Sequence, residues 1–151
     1  MSSKENIEAL LVQTWPDPSD PLRLALEGQL IEVCTAHNCF EAALSLCSPC
    51  PPHLVFTETQ LPDGDWEDVL SFAARANAPV NVIVVSPHVD VALYIQTMER
   101  GAFDFIVSPP GAPELLHVVR VAAANVSARR CQAPAVTPTD SFVIASKAQN
   151  P

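Results

Sequence analysis

Five short apolar runs punctuate the chain without alternating with polar residues: Ile7 to Val12, Leu30 to Thr35, His53 to Phe56, Val80 to Val85 and Phe103 to Val107. A strand with one wet face alternates apolar and polar side chains. A run such as Val82-Ile83-Val84-Val85 instead offers apolar groups to both sides and has to be covered on both, as in a parallel sheet between two helix layers. The segments between the runs supply those layers, because their apolar residues recur every three or four positions. The stripes are Phe40, Ala43, Leu44 and Cys47; Trp66, Val69, Leu70 and Ala73; Val91, Ile95 and Met98; and Leu115, Val118, Val119 and Ala122. The pattern predicts an α/β chain.

Local punctuation agrees. Asp90 can cap the helix that begins at Val91, Gly101 stands where it should stop, and Pro113 suits the first turn of the last helix. Pro16, Pro18 and Pro21 crowd the entrance to the first helix and Gly28 ends it, which predicts a short helix from about Pro21 to Glu27. After about Ala128 the composition shifts to Pro, Thr, Ser and Ala. Residues 1–128 are therefore expected to form one domain and residues 129–151 a flexible tail whose single apolar patch is Phe142-Val143-Ile144.

Charge narrows the partners. Lys and Arg total 8 against 17 Asp and Glu, a net charge of -9, so the surface repels polyphosphate and anionic lipid and neither nucleic acid nor membrane is expected as a partner. No apolar stretch approaches the roughly 20 residues of a bilayer span. The polar start of the chain lacks the basic-then-apolar pattern of an export signal, which predicts a cytoplasmic protein with its five cysteines as free thiols. The 4 glycines form neither a phosphate-cradling loop nor a dinucleotide fingerprint, and no nucleophilic triad is present.

In an open parallel sheet, ligands gather at the carboxyl ends of the strands. The residues there are Gln13 and Thr14, Glu58, Ser86 and Pro87, and Ser108 and Pro109. Around them the chain resembles the receiver domain of two-component response regulators. The likeness covers about Ile7 to Ala124 and rests on Leu54-Val55-Phe56-Thr57-Glu58-Thr59-Gln60-Leu61-Pro62-Asp63-Gly64, on Val82-Ile83-Val84-Val85-Ser86, and on Gly101-Ala102-Phe103-Asp104-Phe105-Ile106-Val107-Ser108-Pro109. It implies a flavodoxin-like (CheY-like) three-layer sandwich with five parallel strands in the order 2-1-3-4-5 and five helices.

The resemblance also implies a site, and here the residues depart from it. A working receiver has two acids after its first strand, a phosphoacceptor Asp after the third, Ser or Thr after the fourth, and Lys before Pro after the fifth. The carboxylates hold magnesium, the metal and lysine neutralise the moving phosphoryl group, and the hydroxyl binds one of its oxygens. The matching positions are Gln13 and Thr14, Glu58, Ser86 and Ser108, so only the hydroxyl is kept. Glu58 also places its carboxylate more than about 1 Å from where Asp would, a displacement that can cost about 100-fold where in-line geometry matters. The expectation is a stand-alone, atypical pseudo-receiver, not an enzyme and without cofactor or metal, that signals through protein contacts with a histidine kinase, an output protein or another signalling protein.

Other readings compete. Glu58 either imitates a phosphorylated Asp by bonding Ser86 or projects into solvent. Phosphorylation on Glu58, or on nearby Asp63 or Asp65, is the alternative function, although Asp65 also suits an N-cap. Cys47-Ser48-Pro49-Cys50, with His37, Cys39 and His53 nearby, suggests a zinc or thiol sensor. Its position at a helix C-terminus argues against a lowered thiol pKa, and Cys39 and Cys47 also fit a buried stripe. The resemblance further implies a switch at Phe105 and an interaction or homodimer face on the fourth helix, fifth strand and fifth helix, with Tyr94, Met98, Arg100, Asp104, Leu116, His117 and Arg120. It implies a cis Ser108–Pro109 bond as well.

Overall fold

The structure is a computed structural model that describes residues 6–15, 17, 19–108 and 111–132. Pro16, Pro18, the Ser108–Pro109 bond and the 133–151 stretch with Phe142-Val143-Ile144 lie outside the described residues. In chain order the elements are β1 (Glu8–Val12), α1 (Pro21–Gly28), β2 (Glu32–Ala36), α2 (Cys39–Leu46), β3 (Leu54–Glu58), β4 (Gln60–Leu61), β5 (Gly64–Asp65), α3 (Trp66–Ala74), β6 (Asn81–Ser86), α4 (Val91–Glu99), β7 (Asp104–Val107) and α5 (Ala112–Gln132).

Five strands form one parallel sheet in the order β2-β1-β3-β6-β7. With the small antiparallel β4-β5 ribbon set aside, this is the expected 2-1-3-4-5. The runs of β1, β3 and β6 are buried on both faces, whereas the edge strand β2 leaves Glu32 and Cys34 exposed. Ala9, Leu11, Leu54, Phe56, Ile83 and Ile106 point to a core closed by α1 and α5. Leu10, Val12, Val55 and Val82 point to the opposite core under α2 and α3. Trp66, Val84 and Ala102 form a third cluster, against which Leu93 of α4 and Phe105 pack.

The caps stand largely as expected. Asp20 accepts from the Leu22 amide with Pro21 in the first turn of α1, Asp90 accepts from Leu93, and Asp65 and Asp68 form a reciprocal capping box on α3. Gly101 takes a positive φ of 101° after α4, a conformation open to Gly at little cost. The stripes of α3 and α5 are buried as predicted.

Four expectations need correction. The second strand starts at Glu32, because Leu30 turns the chain with φ 61° and stands 84% exposed. In α2 the buried residues are Cys39, Ala42 and Leu46, whereas Phe40, Leu44 and Cys47 are exposed. Cys39 lies close to the β4-β5 ribbon, where a Cβ on Gly64 would come within 2.7 Å of its Sγ. In α4 the buried residue is Thr97, whose hydroxyl donates to the Tyr94 carbonyl at 2.9 Å, while Val91 and Ile95 are exposed. Finally, α5 continues past residue 128 to Gln132, because Arg129 and Arg130 find acceptors on Asn81, Pro51, Pro52 and Pro79.

Candidate functional site

The carboxyl ends of β1, β3, β6 and β7 open into a cleft of about 480 Å³. Of the five residues expected there, Gln13, Glu58 and Ser108 line it, over apolar walls that include Leu22, Phe56, Val85 and Ile106. Glu58 is half-buried at the last position of β3. Its Oε1 accepts from the Thr14 backbone amide at 3.1 Å, so Thr14 enters the site through its main chain. Neither expected state of Glu58 is found: it is neither bonded to Ser86 nor free in solvent. The Ser86 hydroxyl instead donates to the His88 carbonyl at 2.7 Å and accepts from the His88 amide at 3.2 Å. It closes its own turn below the cleft. Ser108 is held by its amide, which donates to the Ser86 carbonyl at 2.7 Å and extends the β6-β7 ladder.

The polar lining residues Asp20, Thr59 and Gln60 were not foreseen from the sequence. Asp20 reaches the cleft from the start of α1, where its Oδ1 accepts from Leu22 at 2.9 Å and its Oδ2 accepts from Gln13 Nε2 at 2.5 Å. The signal was available, since Asp before Pro is a helix-start pattern, but only the fold carries that cap to Gln13. The Gln13–Asp20 bond fixes the amide orientation and leaves Gln13 Oε1 buried without a partner. No lining residue of the cleft is Lys, Arg or His.

The residues of the expected interaction face are placed as follows. Tyr94 is partly exposed and meets Phe105 edge-on, with ring centroids 5.8 Å apart. Met98 and Leu116 are half-buried, and His117 and Arg120 are exposed on α5. Asp104 accepts from the Phe105 amide at 2.7 Å. Arg100 turns to α3, where its guanidinium meets Glu67 at 2.9 Å.

The acids after Glu58 serve the scaffold. Asp63 accepts from the Cys39 and Phe40 amides at 2.7 and 3.0 Å, which places its charge on the N-terminus of α2. The Cys39 amide bond is the main reason its carboxyl is held below the ordinary 3.8. The Cys39 thiol beside it is pushed up from 9.0 to about 12, first by burial and then by the charge of Asp63. Glu41 is held low mainly by the backbone amide of His37, whose ring also contacts it at 2.9 Å. The Nδ1 of buried His53 accepts from the Glu8 amide at 3.1 Å, and Cys47 and Cys50 are exposed. Among the described residues, no group of three or more His, Cys, Asp and Glu side chains could hold a metal ion. No helix among them is long and apolar enough to cross a membrane.

Comparison with known proteins agrees with the topology. Residues 9–120 match the response regulator receiver domain. The chain is 28% identical over 115 residues to the response regulator protein PilR of Pseudomonas aeruginosa, covering 76% of this chain and 26% of that protein. It is 31% identical over 136 residues to the transcriptional regulatory protein KdpE of Mycobacterium tuberculosis, covering 89% of this chain and 59% of that protein. The chain thus spans about a quarter of the first relative and three-fifths of the second. Among solved structures, a CheY-like receiver domain from Methanospirillum hungatei superposes with a TM-score of 0.70 at 19% identity, covering 82% of this chain and 98% of that one. NtrX from Brucella abortus superposes with a TM-score of 0.72 at 25% identity, covering 83% of this chain and 29% of that one. With the strand order, the site at the strand ends and a family match across most of its length, the chain belongs to the response regulator receiver domain family.

Proposed function

We propose that this receiver domain signals through protein–protein contact, without magnesium-dependent phosphorylation of an aspartate. The observation that carries this reading is Glu58, a glutamate at the end of β3 whose carboxylate is tied to the Thr14 amide in a cleft lined by no basic side chain. Magnesium demands a near-octahedral set of oxygens, usually with carboxylates among them. Here Glu58 is joined only by Asp20, which already caps α1 and accepts from Gln13. The residues present do not fit the metal. Nor does any lining residue supply the positive charge that would balance a transferring phosphoryl group. Asp63 and Asp65, the other acceptors considered, are engaged with backbone amides.

The partner is then a protein, such as a histidine kinase or an output protein, and the surface best suited to it is that of α4, β7 and α5. Val91, Tyr94 and Ile95 leave apolar area exposed on α4, and His117 and Arg120 are exposed on α5. A second copy of the chain is one partner that could cover this patch in a symmetric contact. Sedimentation velocity tests this: Ile95→Lys should stay folded and shift any dimer to monomer, and a monomeric parent chain would remove the homodimer.

The main reading is tested by amide NMR during titration with magnesium and then beryllofluoride, together with intact mass after acetyl phosphate. The expected outcome is no saturable shift at Thr14, Glu58 or Ser86 and no added phosphate mass. Saturable shifts at these residues, or a phosphorylated species, would restore a conventional phosphorylation switch.

A further inference from the structure

The features that make the Glu58 cleft a poor magnesium site suit a different ligand. Glu58 and Asp20 both line it, with no basic residue beside them. Glu58 spends one bond on Thr14, and Asp20 spends one on each oxygen. A carboxylate has about four lone-pair sites, so acceptors remain on both. Gln13, which also lines the cleft, keeps its Oε1 buried and without a donor because the amide nitrogen is turned to Asp20. A buried polar atom in that state is a standing demand for a donor. The walls, by contrast, are apolar at Leu22, Phe56, Val85 and Ile106, and Trp15 stands 86% exposed at the same cleft.

The geometry points to a site for one organic cation, an ammonium or guanidinium group on an apolar stem, held between Glu58 and Asp20. Ammonium and guanidinium groups carry donors only, which matches a set of unfilled acceptors. They are satisfied by hydrogen bonds without the rigid oxygen octahedron that magnesium requires. The apolar stem would lie against the cleft walls while its charged end meets the carboxylates, and the Trp15 ring offers a face to the cation. The net charge of -9 draws such a ligand toward the protein. The cation has two sources, a free amine or a basic side chain presented by a protein partner. This inference rests on the proposal that the cleft does not run metal-dependent phosphotransfer.

The test uses the full chain, followed by the Trp15 indole N–H signal and the amide signals of Thr14 and Glu58. The probes are phenethylammonium, L-argininamide, a neutral peptide with a single central Arg, uncharged 2-phenylethanol, and magnesium. Both small cations should saturate at millimolar concentration and weaken as ionic strength rises from about 0.01 M to about 0.15 M, while 2-phenylethanol should not saturate. Glu58→Gln and Asp20→Asn should each weaken cation binding about tenfold while keeping the chain folded, since each amide retains an acceptor for Thr14 or Leu22. Tighter binding of the Arg peptide than of L-argininamide assigns the site to a protein partner, and the reverse assigns it to a small amine. Equal binding of 2-phenylethanol, no saturation by either small cation, or indifference to both substitutions would overturn the site. If magnesium is also inert, the proposed function survives that failure. If magnesium saturates and phosphate is added to the chain, the proposed function fails with it.

Discussion

Gly64 is the glycine of this chain at which a side chain has no room. A Cβ there would lie 2.3 Å from Asp68 Oδ2 and 2.7 Å from Cys39 Sγ. Asp68 cannot swing aside without loss, because the same oxygen accepts from the Asp65 amide at 3.0 Å in the capping box of α3. Gly64→Ala is therefore expected to lower stability by about 1–3 kcal/mol, read as a lower urea midpoint at unchanged slope. The neighbouring Cys39 gives a second prediction. With its pKa pushed up to about 12 and its side chain buried, it should stay unmodified by iodoacetamide at neutral pH while exposed Cys34, Cys47, Cys50 and Cys131 are alkylated, as peptide mass mapping would show. The sign for stability follows from the direction: the contribution is complete below the ordinary 9.0 and is lost as pH rises toward about 12. Cys39→Ala should flatten that alkaline loss. Free thiols were foreseeable from composition. That Cys39, and not Cys47, is the inward one was not, because both sit at helical spacing and spacing does not choose between them.

At the scale of elements, phase was the hidden quantity. In α2 the stripes 39, 42, 46 and 40, 44 have nearly the same period, and the one with larger apolar groups faces water. Periodicity marks a helix but leaves its rotation open. The same holds for α4, where Thr97 is buried and Ile95 is not. Asp63 is the residue that ties ribbon to helix: its carboxylate joins the Cys39 and Phe40 amides, 24 and 23 residues away. Asp63→Asn should destabilise the chain at pH 7 by removing the charge from the α2 terminus. Because the Asp63 carboxyl is held low, its contribution is present above its ordinary pKa and lost as pH falls through the lowered value. The gap between variant and parent urea midpoints should therefore narrow as pH falls below the ordinary carboxyl value of 3.8.

On the scale of the whole molecule, the last helix closes the domain. Asn81, 2% exposed at the start of β6, donates to the Ala122 carbonyl and to Asn125 and accepts from Arg129 at 2.6 Å. Arg130 reaches the carbonyls of Pro51, Pro52 and Pro79. A chain ending after Ala128, the boundary expected from composition, should unfold with about 1–3 kcal/mol less stability than one ending after Gln132, because buried acceptors lose their donors. Thermal unfolding of the two truncations checks this, and equal midpoints would place the boundary at 128. In the sequence Arg129-Arg130 reads as a polar junction, because the carbonyls that Arg130 binds lie 78 and 79 residues earlier at Pro52 and Pro51. What the sequence determined by itself was the class of fold, since runs covered on both faces demand a parallel sheet between helices. Only the tertiary structure decided which helix faces turn inward, that Asp20 joins Gln13, and that Glu58 meets Thr14, 44 residues away, because each of these depends on the register and packing of segments that no local pattern encodes.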